Sequence, residues 1–443
     1  MRRNPPSAGF SLAELMVTLV VMAVAVVGAL TFFDMSTRLA RSQVQVAGLQ
    51  VSQRVSQHEI ARMAAMAGVG GLPEGIPPAV AQAAGIGTAG VFPNGLAVAM
   101  DNNVAEDTDL GGGGPALLTV GDTDVLTLRG VFTTPVYHIE PQVPLTLGPG
   151  TGNMVVTLST VVDVGVTQDL DPLRRALDVS PPRTEAIIVY DRYNPDAFAV
   201  LEYVPGNSVL GALGAPTMTI GLTLGPGGTY SNQYGQMALG TTLLQGAAGQ
   251  AWTLPGGLTV QLPEEIGAIG LLEEYRFFVR KEYELPGVPE SRLAPVLTRA
   301  RYYPGTGVIH PAGALALADN VIDLQLALAV DQPVAGVGIP DGQILEIGLA
   351  ADDDEILYNF AGDDDGLASI GTSIWASPAS RLRFLRISTV VQGDRTDPTF
   401  PGAVVDVVED HDYVASPSIF NAGGYAKIRK RLVSTTVETR NLP

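Results

Sequence analysis

One carboxylate, Glu14, lies where its charge could do chemistry. It is near the start of a mostly apolar run, otherwise uncharged, that ends at Phe33. A run of this length can cross a bilayer as a helix. An ionisable group in such a run costs roughly 3 kcal/mol at mid-helix, less near the interface, and usually marks function. Among packed apolar helices, this carboxylate could form an ion pair with an amino group, with little water to screen it.

The peptide bond between Gly9 and Phe10 is the predicted cleavage site. Residues 1–9 form a short leader with two arginines. An ordinary secretory signal is cleaved after its apolar region, behind small residues. Here that region is followed by Asp34-Met35-Ser36-Thr37-Arg38, which contains no such site. Cleavage at Gly9/Phe10 would leave the apolar helix on the mature chain, with Phe10 as its first residue.

The basic leader, the Gly-Phe junction, Glu14 and the apolar run together resemble the class III signal of type IV prepilins and pseudopilins. The resemblance implies that Gly9 is the last leader residue, that Phe10 becomes N-methylated, and that Glu14 is needed for assembly. It also implies a prepilin peptidase, other major and minor pilins, and an inner-membrane assembly platform as partners. An uncleaved signal anchor, with Glu14 at the headgroups, is the alternative.

The helix is expected to continue beyond the membrane segment. Residues 34–67 contain no proline, and apolar residues recur at roughly helical spacing between arginines and glutamines, which predicts an amphipathic half. Glycines at 68, 70 and 71 and Pro73 then end the pattern. We therefore predict one helix over residues 11–67, with residues 10–33 in the membrane or filament core.

The remaining sequence predicts an acidic, strand-rich head. Only six of the 26 Lys and Arg residues and three of the 45 acidic residues precede Gly68, so the head is strongly negative. Such a surface repels nucleic acid, because nonspecific binding depends on phosphate neutralisation. The chain has no cysteine and hence no disulfide, although many pilins have one. Plentiful glycine and proline suit short strands and turns.

The predicted fold class is α+β, a pilin fold in which the long helix packs on a mainly antiparallel sheet. Residues 68–120 are predicted to form a Gly/Pro-rich connecting loop and residues 121–443 the head, with an insertion at 205–270. Two hairpins are predicted, one from strands at 186–190 and 198–204, the other from strands at 275–279 and 296–303. A strand at 321–330 is expected to continue the same sheet.

The tail carries a second resemblance. Residues 429–441, with their basic triplet, Thr-Thr-Val and Arg-Asn, look like the closing strand of PilW-type minor pilins. Residues 121–129, 186–204 and 382–391 fit other strands of that family more weakly. The basic segment Lys427–Arg431 is either a strand paired with nearby carboxylates or a patch that docks onto an adjacent pilin.

Two acidic runs are the candidate metal ligands. They flank the apolar segment 356–358, and carboxylates on facing loops could hold Ca²⁺. Their spacing is not that of an EF-hand, and two solvated acidic turns are the favoured interpretation. If Ca²⁺ binds, added calcium should raise the melting temperature, and an unchanged melting curve would exclude the site. The residues are Asp352, Asp353, Asp354, Asp363, Asp364 and Asp365.

No enzyme is expected. The four histidines are isolated in sequence, and no Walker or Gly-x-Ser-x-Gly motif occurs. The resemblance instead implies a minor type IV pilin that takes part in pilus assembly or initiation at the filament tip, with no cofactor. It would lie in the inner membrane before assembly and at the cell surface afterwards. The alternatives are a minor pseudopilin of a type II secretion system and a pilin-anchored adhesin that binds through the 205–270 insertion or the acidic loops.

Overall fold

The structure is a computed structural model of the full chain. The chain divides into two compact units, Met1–Val51 and Ser52–Pro443, which are described separately. The described residues are 11–68, 97–112, 114–139, 153–163, 165–179, 185–191, 198–223, 251–253, 259–261, 266–283, 293–304, 307–331, 355–357, 381–396, 407–409, 411–413 and 428–438.

Helix α1 runs without a break from Leu12 to Ala64. From residue 12 to residue 41 every side chain is exposed, and no charged residue separates Glu14 from Asp34. Among the described helices, it is the one long and apolar enough to cross a membrane. Its last turn tightens, since Met66 and Ala67 donate to the carbonyls three residues earlier. Gly68 then takes a φ of +79°, which favours glycine and ends the helix.

Within the described residues the head contains a ten-stranded sheet, here called sheet 1, whose strand pairs are all antiparallel. Its main path is β1-β2-β12-β7-β8-β9-β4, while β13 joins β12 to β14 and β3 pairs with β12. Elements are labelled in chain order. The strands are β1 Val98–Val104, β2 Thr123–Gly130, β3 Tyr137–His138, β4 Asn153–Ser159, β7 Ala186–Asp191, β8 Phe198–Tyr203, β9 Thr217–Thr223, β12 Ile266–Tyr283, β13 Leu293–Tyr302 and β14 Ile309–Asp319.

A second, four-stranded sheet, sheet 2, has the order β16-β15-β17-β20. Its strands are β15 Val321–Asp331, β16 Glu355–Leu357, β17 Arg381–Thr396 and β20 Ile428–Glu438. Three small ribbons complete the described strands: β5 Val161–Asp163 with β6 Val166–Thr167, β10 Ala251–Thr253 with β11 Thr259–Gln261, and β18 Val407–Val408 with β19 His411–Asp412.

Strand β12 organises sheet 1. Its first half pairs with β7 and its second half with β2 and β13, so one 18-residue strand joins both parts of the sheet. Gly270 is required there, because a Cβ at this position would lie 2.6 Å from a methyl group of Val131. The apolar side chains of β4, β7, β8 and β9 share one core with the short helix α2, Asp171–Leu177. Burial of each large apolar side chain contributes roughly 1.5–3 kcal/mol.

The α+β architecture, the long helix and both predicted hairpins are confirmed. β7 pairs with β8, and β12 pairs with β13 over ten residue pairs. The strand predicted at 382–391 lies within β17, and the tail forms β20 beside it.

The described strands differ from the predicted organisation in three places. The segment predicted as a Gly/Pro-rich connecting loop, 68–120, contains the strand β1, which pairs with β2. The proposed insertion 205–270 contains β9 and the start of β12, both of which are integral to sheet 1. The strand at 321–330 does not continue sheet 1, because its hydrogen-bonded partners β16 and β17 belong to sheet 2.

Candidate functional site

The start of α1 is a capping box made by Ser11 and Glu14. The backbone N–H of Glu14 donates to the Ser11 hydroxyl at 3.2 Å, and the backbone N–H of Ser11 donates to a Glu14 carboxylate oxygen at 2.9 Å. The first N–H groups of a helix have no partner within the helix, so each side chain satisfies one of them. The motif was not predicted, although the sequence Ser-x-x-Glu is its signal.

The capping box fixes where the Glu14 carboxylate lies. It is held at the first turn of the helix and is exposed, at the beginning of the apolar run. A carboxylate is also favoured at a helix N-terminus by the helix dipole. Gly9 and Phe10 lie outside the described residues. The first turn of α1 therefore presents one carboxylate that can accept hydrogen bonds, and it is close in sequence to the predicted new amino terminus.

We expect Ser11→Ala to loosen this first turn. The change removes the acceptor for the Glu14 N–H, and loss of such a cap costs about 0.5–2 kcal/mol. Amide hydrogen exchange of residues 12–15, measured on the full chain in micelles, should therefore become faster, while Ser11→Thr should preserve the native rate. Ser36→Ala, at a serine in mid-helix, is the matched control and should change nothing at residues 12–15. Equal rates for Ser11→Ala and the native chain would show that the box does not stabilise the helix start.

The candidate calcium ligands are not tested by the structure. Asp352, Asp353, Asp354, Asp363, Asp364 and Asp365 all lie outside the described residues. Glu355–Leu357 between the two runs forms the short strand β16, at one edge of sheet 2. In the part of the chain that the structure describes, no group of three or more His, Asp or Glu side chains could hold a metal ion.

Two of the histidines are components of buried hydrogen-bond networks. His310 Nε2 lies 2.9 Å from a Glu185 carboxylate oxygen, and its Nδ1 accepts from the Ala312 N–H at 3.0 Å. His411 stacks on Tyr413, and both contact the carboxylate of Asp323. The pKa of Tyr413 is raised well above its usual value. Burial is the larger cause, and the nearby charge of Asp323 is the second. The first contact joins β14 to the residue before β7, and the second joins the β18–β19 ribbon to β15, so both have a structural role.

A buried ion cluster links β2 to β12. One Glu274 carboxylate oxygen accepts from Arg129 Nε at 2.7 Å, and the other accepts from Arg276 Nε at 2.9 Å. The side chains of Arg129 and Glu274 are fully buried. Removing one member of a buried ion pair is strongly destabilising, because it leaves the other charge without compensation.

The C-terminal end of α1 docks on sheet 1 through Glu59 and Met63. Glu59 forms ion pairs with Arg62 on the helix and with Arg299 on β13. The hydrogen bond from Arg62 has the largest effect on the pKa of Glu59. Together with the charges of Arg62 and Arg299, it outweighs desolvation and lowers this pKa. Arg299 also lies over the Tyr275 ring, 5.2 Å from its centroid, and contacts the Met63 sulfur.

The basic segment of the tail belongs to strand β20. Lys430 and Arg431 pair with Gln392 and Val391 of β17, and a register shift separates these pairs from that of Ile428 with Thr396. Lys430 is partly buried, and this burial lowers its pKa. Residues 428–431 of this segment are therefore part of a strand, while the pairing of its cations with carboxylates and its docking onto an adjacent pilin stay predictions.

Comparison with known proteins identifies the N-terminal region. A family model described as the prokaryotic N-terminal methylation motif matches residues 5–30. No curated protein and no solved structure matches the chain. The chain thus has the N-terminal signal of a type IV pilin-like prepilin or pseudopilin, which implies processing by a prepilin peptidase and assembly with other pilins. Its apolar helix fits membrane anchoring.

Proposed function

We propose that this pilin-like protein is a minor type IV pilin that takes part in assembly of the filament, at its tip. The observation that carries the proposal is the methylation motif on a long apolar helix whose first turn presents Glu14. A prepilin peptidase would remove Met1–Gly9 and methylate Phe10. Glu14 would then pair with the amino terminus of a neighbouring subunit within the helical core, where little water screens the pair.

The size of the head supports a position at the tip. The second unit extends from Ser52 to Pro443, and its described residues form two separate sheets and three small ribbons. A subunit in the shaft must repeat at close axial spacing, and a head of this size is difficult to repeat in that way. The PilW-like tail, which forms β20, supports a minor rather than a major subunit.

Immunogold labelling with antibodies against the head tests this placement. We expect one cluster of gold particles at filament ends and none along the shaft. Antibodies against the major subunit, used on the same grids, provide the control for access to the shaft. Labelling by the head antibody along the whole shaft, at the density of the major subunit, would contradict the tip position.

A minor pseudopilin of a type II secretion system is the second candidate, because the methylation motif suits both kinds of assembly. Deletion of the gene distinguishes the two. Lost pili with normal secretion support the pilin, whereas lost secretion with normal pili supports the pseudopilin.

A further inference from the structure

One end of sheet 1 is built from two uncharged parts of the sequence. No charged residue occurs in residues 141–162 or in residues 203–263, although charged residues make up 16% of the chain. The first part contains β4 and the second contains β9. These strands pair with each other without a register shift, and β4 is the last strand on the main path of the sheet. The fold thus brings the two uncharged segments side by side.

The β4–β9 pair has one buried face and one outer face. Val156 and Leu158 of β4 are buried in the core shared with α2, as are Met218 and Ile220 of β9. Side chains alternate between the two faces of a strand, so the residues between these lie on the outer face. All of them are at least partly exposed, and they are Val155, Thr157, Ser159, Thr217 and Thr219.

A third segment widens the outer face. The backbones of Val209 and Thr219 exchange two hydrogen bonds of 2.9 Å, so Val209 lies directly opposite Thr219. Thr157 lies opposite Thr219 on the other side, so the three residues form a row across the sheet with Thr219 at its centre. Val209 is 69% exposed. We call the surface formed by Val209 and the five outer residues of β4 and β9 the neutral face.

A buried arginine fixes the backbone between Val209 and β9. Arg174 Nε donates to the Leu210 carbonyl at 2.9 Å. Arg174 Nη2 donates to the carbonyls of Ala215 and Thr217 at 2.5 and 2.9 Å. The Arg174 side chain is 2% exposed, so these bonds are shielded from water. The neutral face is therefore held in one shape before a partner binds, which reduces the ordering cost of binding.

The charge of the head argues for a second copy of this chain as the partner. The head carries most of the chain's excess of acidic residues, so two heads repel each other over most of their surfaces. They approach with the least repulsion where neither surface carries a charge. Glu202 lies opposite Thr223, at the end of β9 away from Thr217, so it is at the margin of the neutral face. A twofold axis brings the same surface of each copy together, and valines and hydroxyls are compatible with their own kind.

We propose that the neutral face binds the neutral face of a second copy as a twofold pair. Valine methyl groups pack across the axis, and threonine and serine hydroxyls, which both donate and accept, bond to their counterparts. Three strands about 4.8 Å apart and five residues of about 3.3 Å each give about 200–250 Å² per copy, well below the roughly 800 Å² of a stable complex. The pair is therefore weak and depends on concentration. No residue of α1 belongs to the neutral face, so the pair does not depend on the proposed place in a filament.

Crosslinking of single-cysteine variants tests the pairing, since the chain contains no cysteine. Thr219→Cys in the full chain, in detergent micelles, should give a covalent dimer with a short bis-maleimide, because the centre of the face lies near the axis. Leu315→Cys is the matched control, at a 51% exposed position on the edge strand β14 of the same sheet. We expect about fivefold more dimer from Thr219→Cys, the factor that roughly 1 kcal/mol of contact produces. Equal yields would overturn the proposal.

A charge on the neutral face gives the test a direction. Thr157→Asp, added to Thr219→Cys, places like charges on facing surfaces and should reduce the yield of dimer to that of Leu315→Cys. Leu315→Asp, added to Thr219→Cys, adds the same charge elsewhere and should leave the yield unchanged. An undiminished yield with Thr157→Asp would contradict the proposal. If Thr157→Asp does not fold, the comparison of the two single-cysteine variants still decides.

Salt and mass distinguish this pair from other associations. Raising the salt from about 0.1 M to 1 M shortens the Debye length from about 10 Å to 3 Å and screens the repulsion between heads, so the yield from Thr219→Cys should rise. A yield that falls with salt would indicate a contact made by ion pairs and would overturn the proposal. The same crosslinking in intact membranes, followed by mass spectrometry, identifies the partner. A product with a different protein in place of the dimer would likewise overturn it.

Discussion

Replacing Glu14 by alanine should abolish incorporation of the protein into filaments while leaving cleavage and membrane insertion intact. The carboxylate is the one charge between the predicted new amino terminus and Asp34. Without it, a neighbour's amino group would be buried among apolar helices with no counter-ion, which costs several kcal/mol. We expect at least a tenfold loss of the protein from sheared filaments, measured by immunoblot, because about 1.4 kcal/mol already gives this factor.

The matched control is Asp34→Ala, on the same helix. Asp34 pairs with Arg38 one turn later, and both side chains are mostly exposed. Such surface pairs contribute about 0–1 kcal/mol, so this variant should assemble normally. A Glu14→Ala protein that enters filaments as well as Asp34→Ala would remove Glu14 from the assembly mechanism.

Replacing Glu274 by glutamine should destabilise the head by about 3–5 kcal/mol, the cost of leaving a buried charge without its partner. Glutamine keeps the shape of the side chain but removes the negative charge that compensates Arg129 and Arg276. Arg129 is fully buried and cannot turn to water. Urea unfolding of the full chain in detergent, followed by tryptophan fluorescence, measures the loss as a lower midpoint.

Glu282→Gln provides the comparison on the same strand. Glu282 forms an ion pair with Arg280, but its side chain is 43% exposed. Its loss should therefore change the free energy of unfolding by less than about 1 kcal/mol. Equal shifts for Glu274→Gln and Glu282→Gln would show that the buried cluster contributes no more than a surface pair.

The sequence predicts those parts of the fold that depend on local patterns. Three features define α1 to within a few residues: the long apolar run, the absence of proline and the glycines after Ala67. They do so because helix periodicity and termination are local properties. The hairpins β7–β8 and β12–β13 are likewise visible, since their strands are β-rich and neighbours in sequence.

The division into two sheets could not be predicted, because it depends on pairing between distant segments. β9 pairs with β4 and with β8, and nothing in the glycine-rich sequence around it identifies these partners. β1 was hidden by its two asparagines, of which Asn103 has a φ of +45° at an irregularity in the strand. Nothing in the sequence indicates that the adjacent Glu273 and Glu274 are both buried and paired with arginines.

The sequence alone predicts only part of the candidate site. Glu14 was identified from its place in an apolar run, and the capping box now shows what holds it before assembly. The contact of Gln57 with β20 was not predicted, because glutamine and serine at helical spacing also suit a solvated face. The burial of Gln53 and the hydrogen bond from Gln57 to Val433 distinguish the two cases.

Mass spectrometry of the N-terminus of the membrane-extracted protein tests the central claim most directly. The account predicts that the mature chain begins at Phe10 and carries one methyl group on its amino nitrogen. A chain that begins at Met1, or at a residue after Phe33, would contradict the assignment of a pilin-like signal and the role of Glu14 that depends on it.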